Sequence, residues 1–190
     1  MYEKLEEKTI VLRKARADDS ASMLENVWSD ENVYGRMLFM PTFTADEAIG
    51  RCRRSEEFQK DHFAYFVALR ENDEAIGFCG ISETSPGHYD ECGICIGTKY
   101  QGKGIGKEIL SLLLDLAFDK LGAEDFRYGY FQDNERSKRL AAGFGFRYEK
   151  TGETVREWDN AVKTIDYCLL SRDEYYAWLM RRSDDNSICE

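Results

Sequence analysis

Several common chemistries lack the residues they need in this chain. Two histidines, His62 and His88, are all that 190 residues hold, too few for a histidine-built metal centre or a convincing Ser-His-Asp triad. Six cysteines are scattered at positions 52, 79, 92, 95, 168 and 189. Cys92 and Cys95 form a lone CxxC, but three residues apart on a strand places two thiols on opposite faces, and no second pair completes a zinc set. They read as reduced thiols, and no metal is expected. With only two prolines, Pro41 and Pro86, there is no proline-rich linker, nor is there a repeat or low-complexity block. No apolar run approaches the roughly 18 residues of a membrane-spanning helix. The charged start Met1–Lys8 is no signal peptide, so the expected location is the cytoplasm, away from any membrane. Positive charge is also short, with 26 Lys and Arg against 36 Asp and Glu, a net charge of -10. That argues against a nucleic-acid-binding face and favours a cationic partner such as an amine.

What is present describes one globular domain, 43% apolar and 33% charged. Its core is expected over 9–170, followed by a C-terminal helix over 171–182 and a frayed polar tail over 183–190. Thr9–Lys14 alternates as a strand. Asp18 or Asp19 caps a helix that carries Leu24, Val27 and Trp28 on one side. Thr44 with Glu47 makes a capping box that opens a second helix, with Ala48, Ile49 and Cys52 inward. His62–Leu69 and Ala75–Ser82 form a hairpin, Ser85–Asp90 reads as a loop, and Glu91–Ile96 as a strand. A helix then runs to Leu121, burying Ile105, Ile109, Leu112, Leu113 and Leu116, and Gly122 ends it. Strand Asp125–Phe131, a helix from Asn134 through Ala142, and strands Arg147–Arg156 and Val162–Leu170 follow. Ser171 with Glu174 opens the last helix. This order predicts a mixed α/β fold, a central sheet of about seven strands covered by helices.

The stretch Gln101-Gly102-Lys103-Gly104-Ile105-Gly106-Lys107 stands between an apolar strand and the long helix. Each glycine inside a helix costs about 1 kcal/mol against alanine, so three at alternate positions suit a loop instead. Bare backbone N–H groups there, at the positive end of a helix, make a seat for phosphate or another anion, and Lys103 and Lys107 add charge. The P-loop pattern fails because Glu108 follows Lys107, and the spacing and mid-chain place do not fit the dinucleotide fingerprint.

These motifs resemble those of the GCN5-related N-acetyltransferases, and within them the branch that acetylates N-terminal amines of ribosomal proteins. The resemblance rests on Gln101-Gly-Lys-Gly104-Ile-Gly106 between a strand and a helix, on Asn134, Ser137 and Gly145-Phe146 further on, and on the closing stretch Val162–Glu174. It implies acetyl-CoA as co-substrate and a splayed strand pair. Backbone from Gln101 to Lys107 would hold the pyrophosphate, Ile94, Cys95 and Ile96 would pair with the pantetheine arm, and Asn134 would hydrogen-bond the same arm. The acceptor implied is an amine, either a protein N-terminus or a small cationic amine, with a polyamine or an antibiotic amine as the alternative. The protein is expected to act as a monomer or homodimer.

Acetyl transfer needs an unprotonated amine, a polarised carbonyl and a proton for the leaving thiolate. A backbone N–H near Ile94 or Cys95 is the candidate for the carbonyl. Glu91 is the candidate base, with Glu83 and Asp90 as competitors. The tyrosine that many relatives carry seven residues after the asparagine is Ala141 here, a departure beside which the resemblance to the ribosomal-protein branch, which often uses a serine, implies Ser137 as the candidate acid. The departure also keeps open a non-catalytic module that only binds acyl-CoA. Trp28, Phe39, Met40 and His88, with Trp158 at the final hairpin, are candidates for the acceptor side.

Overall fold

A computed structural model describes residues 2–187. Its strands are β1 (Lys4–Glu6), β2 (Ile10–Arg13), β3 (Phe63–Leu69), β4 (Ala75–Ser85), β5 (His88–Ile96), β6 (Asp125–Phe131), β7 (Arg147–Arg156) and β8 (Ala161–Ser171). They form one sheet in the order β1-β2-β3-β4-β5-β6-β8-β7. The helices are α1 (Ser20–Met23, continued by a π-helical turn Leu24–Trp28), α2 (Glu31–Tyr34), α3 (Ala45–Gln59), α4 (Ile105–Asp115, continued by Leu116–Lys120), α5 (Glu135–Gly143) and α6 (Arg172–Ser187). Among the described residues, no helix is long and apolar enough to cross a membrane.

Four expectations need correction. The sheet has eight strands, because the three residues of β1 are too few to show alternation. Ser85–Asp90 is not a loop: β4 and β5 run to a tight turn at Pro86-Gly87, where Gly87 takes φ +79. Asp19 stands at the N-cap of α1, but its side chain makes no capping hydrogen bond. Its carboxylate instead accepts two N–H groups of the Arg13 guanidinium at 2.7 and 2.9 Å and the Arg16 backbone N–H at 2.8 Å. Finally, α6 continues to Ser187, so part of the expected tail is helical. Residues 188–190 of that tail lie outside the described residues.

The sheet is covered on both faces. On one, Ile105, Ile109 and Leu113 of α4, Ala141 of α5 and Tyr175 and Trp178 of α6 bury against Phe126, Tyr128 and Leu170. On the other, Met23, Val27 and Trp28 pack with Ala48 and Cys52 of α3 over Phe66, Ala75 and Cys95. Strand alternation sorts β6 between them: Phe126, Tyr128 and Tyr130 are buried on the α4 face, while Arg127, Gly129 and Phe131 point the other way.

Every described strand pairing is antiparallel except β5 with β6, which α4 connects. That pair is short. His88, Tyr89 and Asp90 register with Asp125, Phe126 and Arg127, and the pairing stops there although both strands continue. On its other side β5 stays bonded to β4, with a register shift between the pairs Cys79–Ile94 and Ile81–Glu91. The bulge absorbs Cys92 and Gly93, and Gly93 takes φ +117.

Arg13 and Asp19 are both buried, with 6% of each side chain exposed. Removing one partner leaves the other charge buried alone. Arg13→Ala is therefore expected to lower the unfolding free energy in urea by about 3–5 kcal/mol. A loss within error of zero would contradict a closed pair.

Candidate active site

The gap between β5 and β6 is pinned at one end. Registered partners His88 and Asp125 meet at 2.7 Å, and Arg127 donates to Asp90 at 3.1 Å and to Glu149 at 2.8 Å. Beyond these contacts the bulge bends β5 away. The Gly97 N–H bonds the Ile76 carbonyl at 2.9 Å, so strand alternation turns the Cys95 N–H toward β4 and the Ile94 and Ile96 N–H groups toward the gap. A cleft of about 380 Å³ opens there, and Glu91, Ile94, Asn134 and Ser137 line it together.

Glu91 is half-buried, with part of its surface in the cleft, while its carboxyl lies deep between the strands. Burial pushes the carboxyl up to about 7, against the pull of the Gly93, Gly129 and Ile94 backbone N–H groups that it touches. Its proton therefore comes off near neutral pH. Ser137 lies across the cleft in the first turn of α5, close to the phenol of Tyr128. Tyr128 is buried from β6, and burial, with the Glu91 charge nearby, raises its pKa and keeps its proton on. Ala141, one turn after Ser137, is buried in the core.

Asn134 caps α5: its Oδ1 accepts the Ser137 backbone N–H at 3.2 Å, which leaves the amide NH₂ for another partner. The glycine loop sits past the end of β5. Gly102 and Gly104 hold φ +78 and +85, and a Cβ added at either would meet nothing within 4 Å. The backbone is bare toward solvent. Gly104 is the N-cap of α4, whose opening N–H groups have no carbonyl one turn back. Gln101 is engaged by its side chain, which donates to the Ile96 carbonyl at 2.9 Å and accepts from Arg136. Lys103 and Lys107 are exposed beside the loop, and Gly106 faces Ile96 and Leu140.

Other candidates lie elsewhere. Trp28 is core, with 1% of its surface exposed, beneath the guanidinium of Arg51. Met40 is exposed and does not line the cleft, whereas Phe39 does. His88 is tied to Asp125 at the pinned end, and Glu83 accepts the Gly87 N–H at 3.0 Å in the turn. Trp158 stacks under Arg156, away from the cleft. Asp90 lines the cleft but is paired with Arg127. Tyr128, Arg136 and Tyr167 belong to the site without standing in any of the motifs. Alternation along β6 could have turned Tyr128 toward α5. Nothing local marks the other two.

The architecture and the motifs meet in known proteins. A family model described as "Acetyltransferase (GNAT) domain" matches residues 9–147. A protein of Bacillus licheniformis described as "Uncharacterized N-acetyltransferase p20" is 28% identical over 168 residues, covering 85% of this chain and 91% of that one. A GCN5-related N-acetyltransferase from Brucella melitensis shares the fold with a TM-score of 0.77 at 19% identity, over 92% of this chain and 81% of that chain. A ribosomal-protein alanine acetyltransferase from Vibrio fischeri shares it with a TM-score of 0.70 at 18% identity, over 90% and 98% respectively. At such identities the structures speak for the fold alone, while the family match extends from before β2 to the start of β7. The chain belongs to the GNAT acetyltransferases and is an acyltransferase of that family.

Proposed function

We propose that the protein transfers the acetyl group of acetyl-CoA directly to a primary amine in a ternary complex. The acceptor is a protein N-terminus or a small cationic amine. One observation carries the reading: the cleft at the parted strands holds Glu91, with a proton that leaves near pH 7, opposite Ser137. The chain also fits the co-substrate. The open space over Gly102 and Gly104 admits a pyrophosphate onto bare N–H groups, and the gap-facing edge of Ile94 and Ile96 offers strand-like pairing to an amide-bearing arm.

Bound acetyl-CoA would supply the activated thioester, whose C–S bond breaks as the amide C–N bond forms. The rest falls to the chain. Backbone N–H groups of Gly102 to Gly106 hold the pyrophosphate, with the side chains of Lys103, Lys107 and Arg136 nearby. The Asn134 amide donates to the arm. A gap-facing backbone N–H of β5 polarises the carbonyl beside the Glu91 carboxyl. Glu91 takes the proton that the attacking nitrogen loses, and Ser137 gives a proton to the leaving sulfur. Solvent returns a proton to Ser137, and the buried phenol of Tyr128, which keeps its own proton, lies behind it. The raised carboxyl favours a catalytic Glu91 over a module that only binds acyl-CoA. Asp90, held by Arg127, is the poorer base.

Two outcomes test this. With Glu91 as base, kcat/KM for the amine rises with pH to a limb near 7. In Glu91→Gln that limb disappears, and the rate at about pH 8 falls by about 10²-fold or more. A retained limb would assign the base elsewhere. The same raised carboxyl favours the protonated folded state. Its contribution to stability is therefore full below the unfolded-chain pKa and is lost as pH rises through about 7. Urea melts should show wild type losing stability relative to Glu91→Gln across that window. Separately, Gly104→Ala, which adds one methyl over the anion seat and strains the loop at φ +85, is expected to weaken CoA binding by calorimetry at least about tenfold. Circular dichroism should stay native, and unchanged affinity would remove the loop from the CoA site.

A further inference from the structure

The acceptor half of the cleft lies on the face of β6 that carries Gly129 and Phe131. Its floor is Tyr167 of β8, half-buried and in register with Gly129. Both strands beside β8 carry glycine under this ring. A Cβ at Gly129 would stand 3.3 Å from it and one at Gly152 3.2 Å. The ring therefore lies down across the sheet as a flat shelf, where a side chain on either neighbour would prop it up. Phe131 and Ile165 extend the shelf, and Met37, Phe39 and Phe78 form the facing wall.

That wall is held in place. Arg156 donates to the carbonyls of Tyr34, Gly35 and Met37 at 3.4, 2.8 and 3.4 Å. Arg51 donates to the Met40 carbonyl at 2.8 Å and lies over the Phe39 ring. Phe39 and Phe78 meet edge to face at 5.6 Å. Gly93 lies behind Phe78, where a Cβ would press on the ring at 3.2 Å.

Charge in the cleft is sparse and balanced, although the chain as a whole carries -10. Its charged lining residues are Arg36, Asp90, Glu91 and Arg127, and the Lys150 ammonium stands at the rim, 5.8 Å from the centre of the Tyr167 ring. Asp90 and Arg127 neutralise each other, and Arg127 also holds Glu149. Glu91 is then the one lining carboxyl without an ionic partner among these. A polyamine or an aminoglycoside would bring several ammonium groups, each needing a carboxylate or water once buried. The cleft offers one carboxyl between aromatic and aliphatic surfaces.

We infer that the acceptor is a primary amine with a single positive charge, borne on a flat or apolar body that lies between Tyr167 and the Met37–Phe39–Phe78 wall while the nitrogen reaches Glu91. This rests on the acetyl-transfer reading and narrows it. It prefers an arylalkylamine, or a peptide whose first side chain is large and apolar, over polycationic and sugar amines.

The test is thiol release from acetyl-CoA with four acceptors: 2-phenylethylamine, a peptide beginning with Phe, a peptide beginning with Ser, and spermidine. The expected kcat/KM for the two apolar acceptors exceeds that for the others by at least about tenfold. Phenylethylamine ahead of the Phe peptide identifies a free amine, and the reverse order a polypeptide N-terminus. Tyr167→Ala should raise KM for the apolar acceptors at least about tenfold, leaving CoA affinity unchanged. Spermidine or the Ser peptide ahead of both apolar acceptors, or an unmoved KM in Tyr167→Ala, would overturn the inference. Failure of every acceptor would overturn acetyl transfer instead. Calorimetric binding of phenylethylamine and spermidine to the CoA-loaded protein, and to its Tyr167→Ala variant, then decides acceptor class without turnover. Tighter binding of spermidine, or no effect of Tyr167→Ala, counts against the inference.

Discussion

The parting of β5 from β6 is the constraint from which the rest of the site follows. A sheet gains by pairing its backbone groups, and two adjacent parallel strands that stop pairing midway leave N–H and C=O groups to be satisfied otherwise. Here the separation is enforced from both ends. The contacts His88–Asp125 and Asp90–Arg127 hold the paired end. The bulge at Cys92-Gly93, possible because Gly93 tolerates φ +117, bends β5 outward while its other edge stays bonded to β4. Glu91 sits where the pairing ends. Its carboxyl touches backbone N–H groups of both strands, which partly offsets the lost ladder and places a titrating group in the gap.

Topology does the remaining positioning. The chain leaves β5 at its carboxyl end, turns through the glycine loop and returns along α4 to enter β6 beside it. The opening turn of α4 therefore stands past the open end of the gap, the usual place for a ligand where parallel strands diverge. α5 begins just after β6, so Asn134 and Ser137 come to the other bank of the same opening. Gln101 ties the two banks together, through the Ile96 carbonyl on one side and Arg136 on the other.

Overall charge is a poor guide to this cleft. An excess of ten negative charges suggests a cationic acceptor, yet the lining carboxylate Asp90 is spent on Arg127 and the walls are mostly aromatic and aliphatic. Long-range charge acts on encounter, whereas the bound acceptor answers to the groups it touches. The walls are firm because arginines from α3 and from the end of β7 hold the backbone carbonyls of the segment carrying Met37 and Phe39.

Much of the fold was legible from the chain. Helix α4 was plain because Ile105, Ile109, Leu112, Leu113 and Leu116 recur at helical spacing, and all are buried. The capping boxes Thr44–Glu47 and Ser171–Glu174 both form, since capping is local chemistry between residues three apart. The glycine loop was legible for the same reason, because backbone permissiveness belongs to the residue itself. Three-residue β1 and the far end of α6 were not, the one too short for a period and the other too polar to announce a helix. In the site, spacing and resemblance named Glu91, Ile94, Asn134 and Ser137, and these do line one cleft. Tertiary structure alone decided the rest: that Asp19 serves Arg13 instead of a helix end, that His88 and Trp28 stand outside the cleft, that Tyr128 backs Ser137, and that Tyr167 lies flat over Gly129 and Gly152. Each of these depends on which strand lies beside which and on how deeply a group is enclosed. Those are properties of residues far apart in the chain, and no local pattern encodes them.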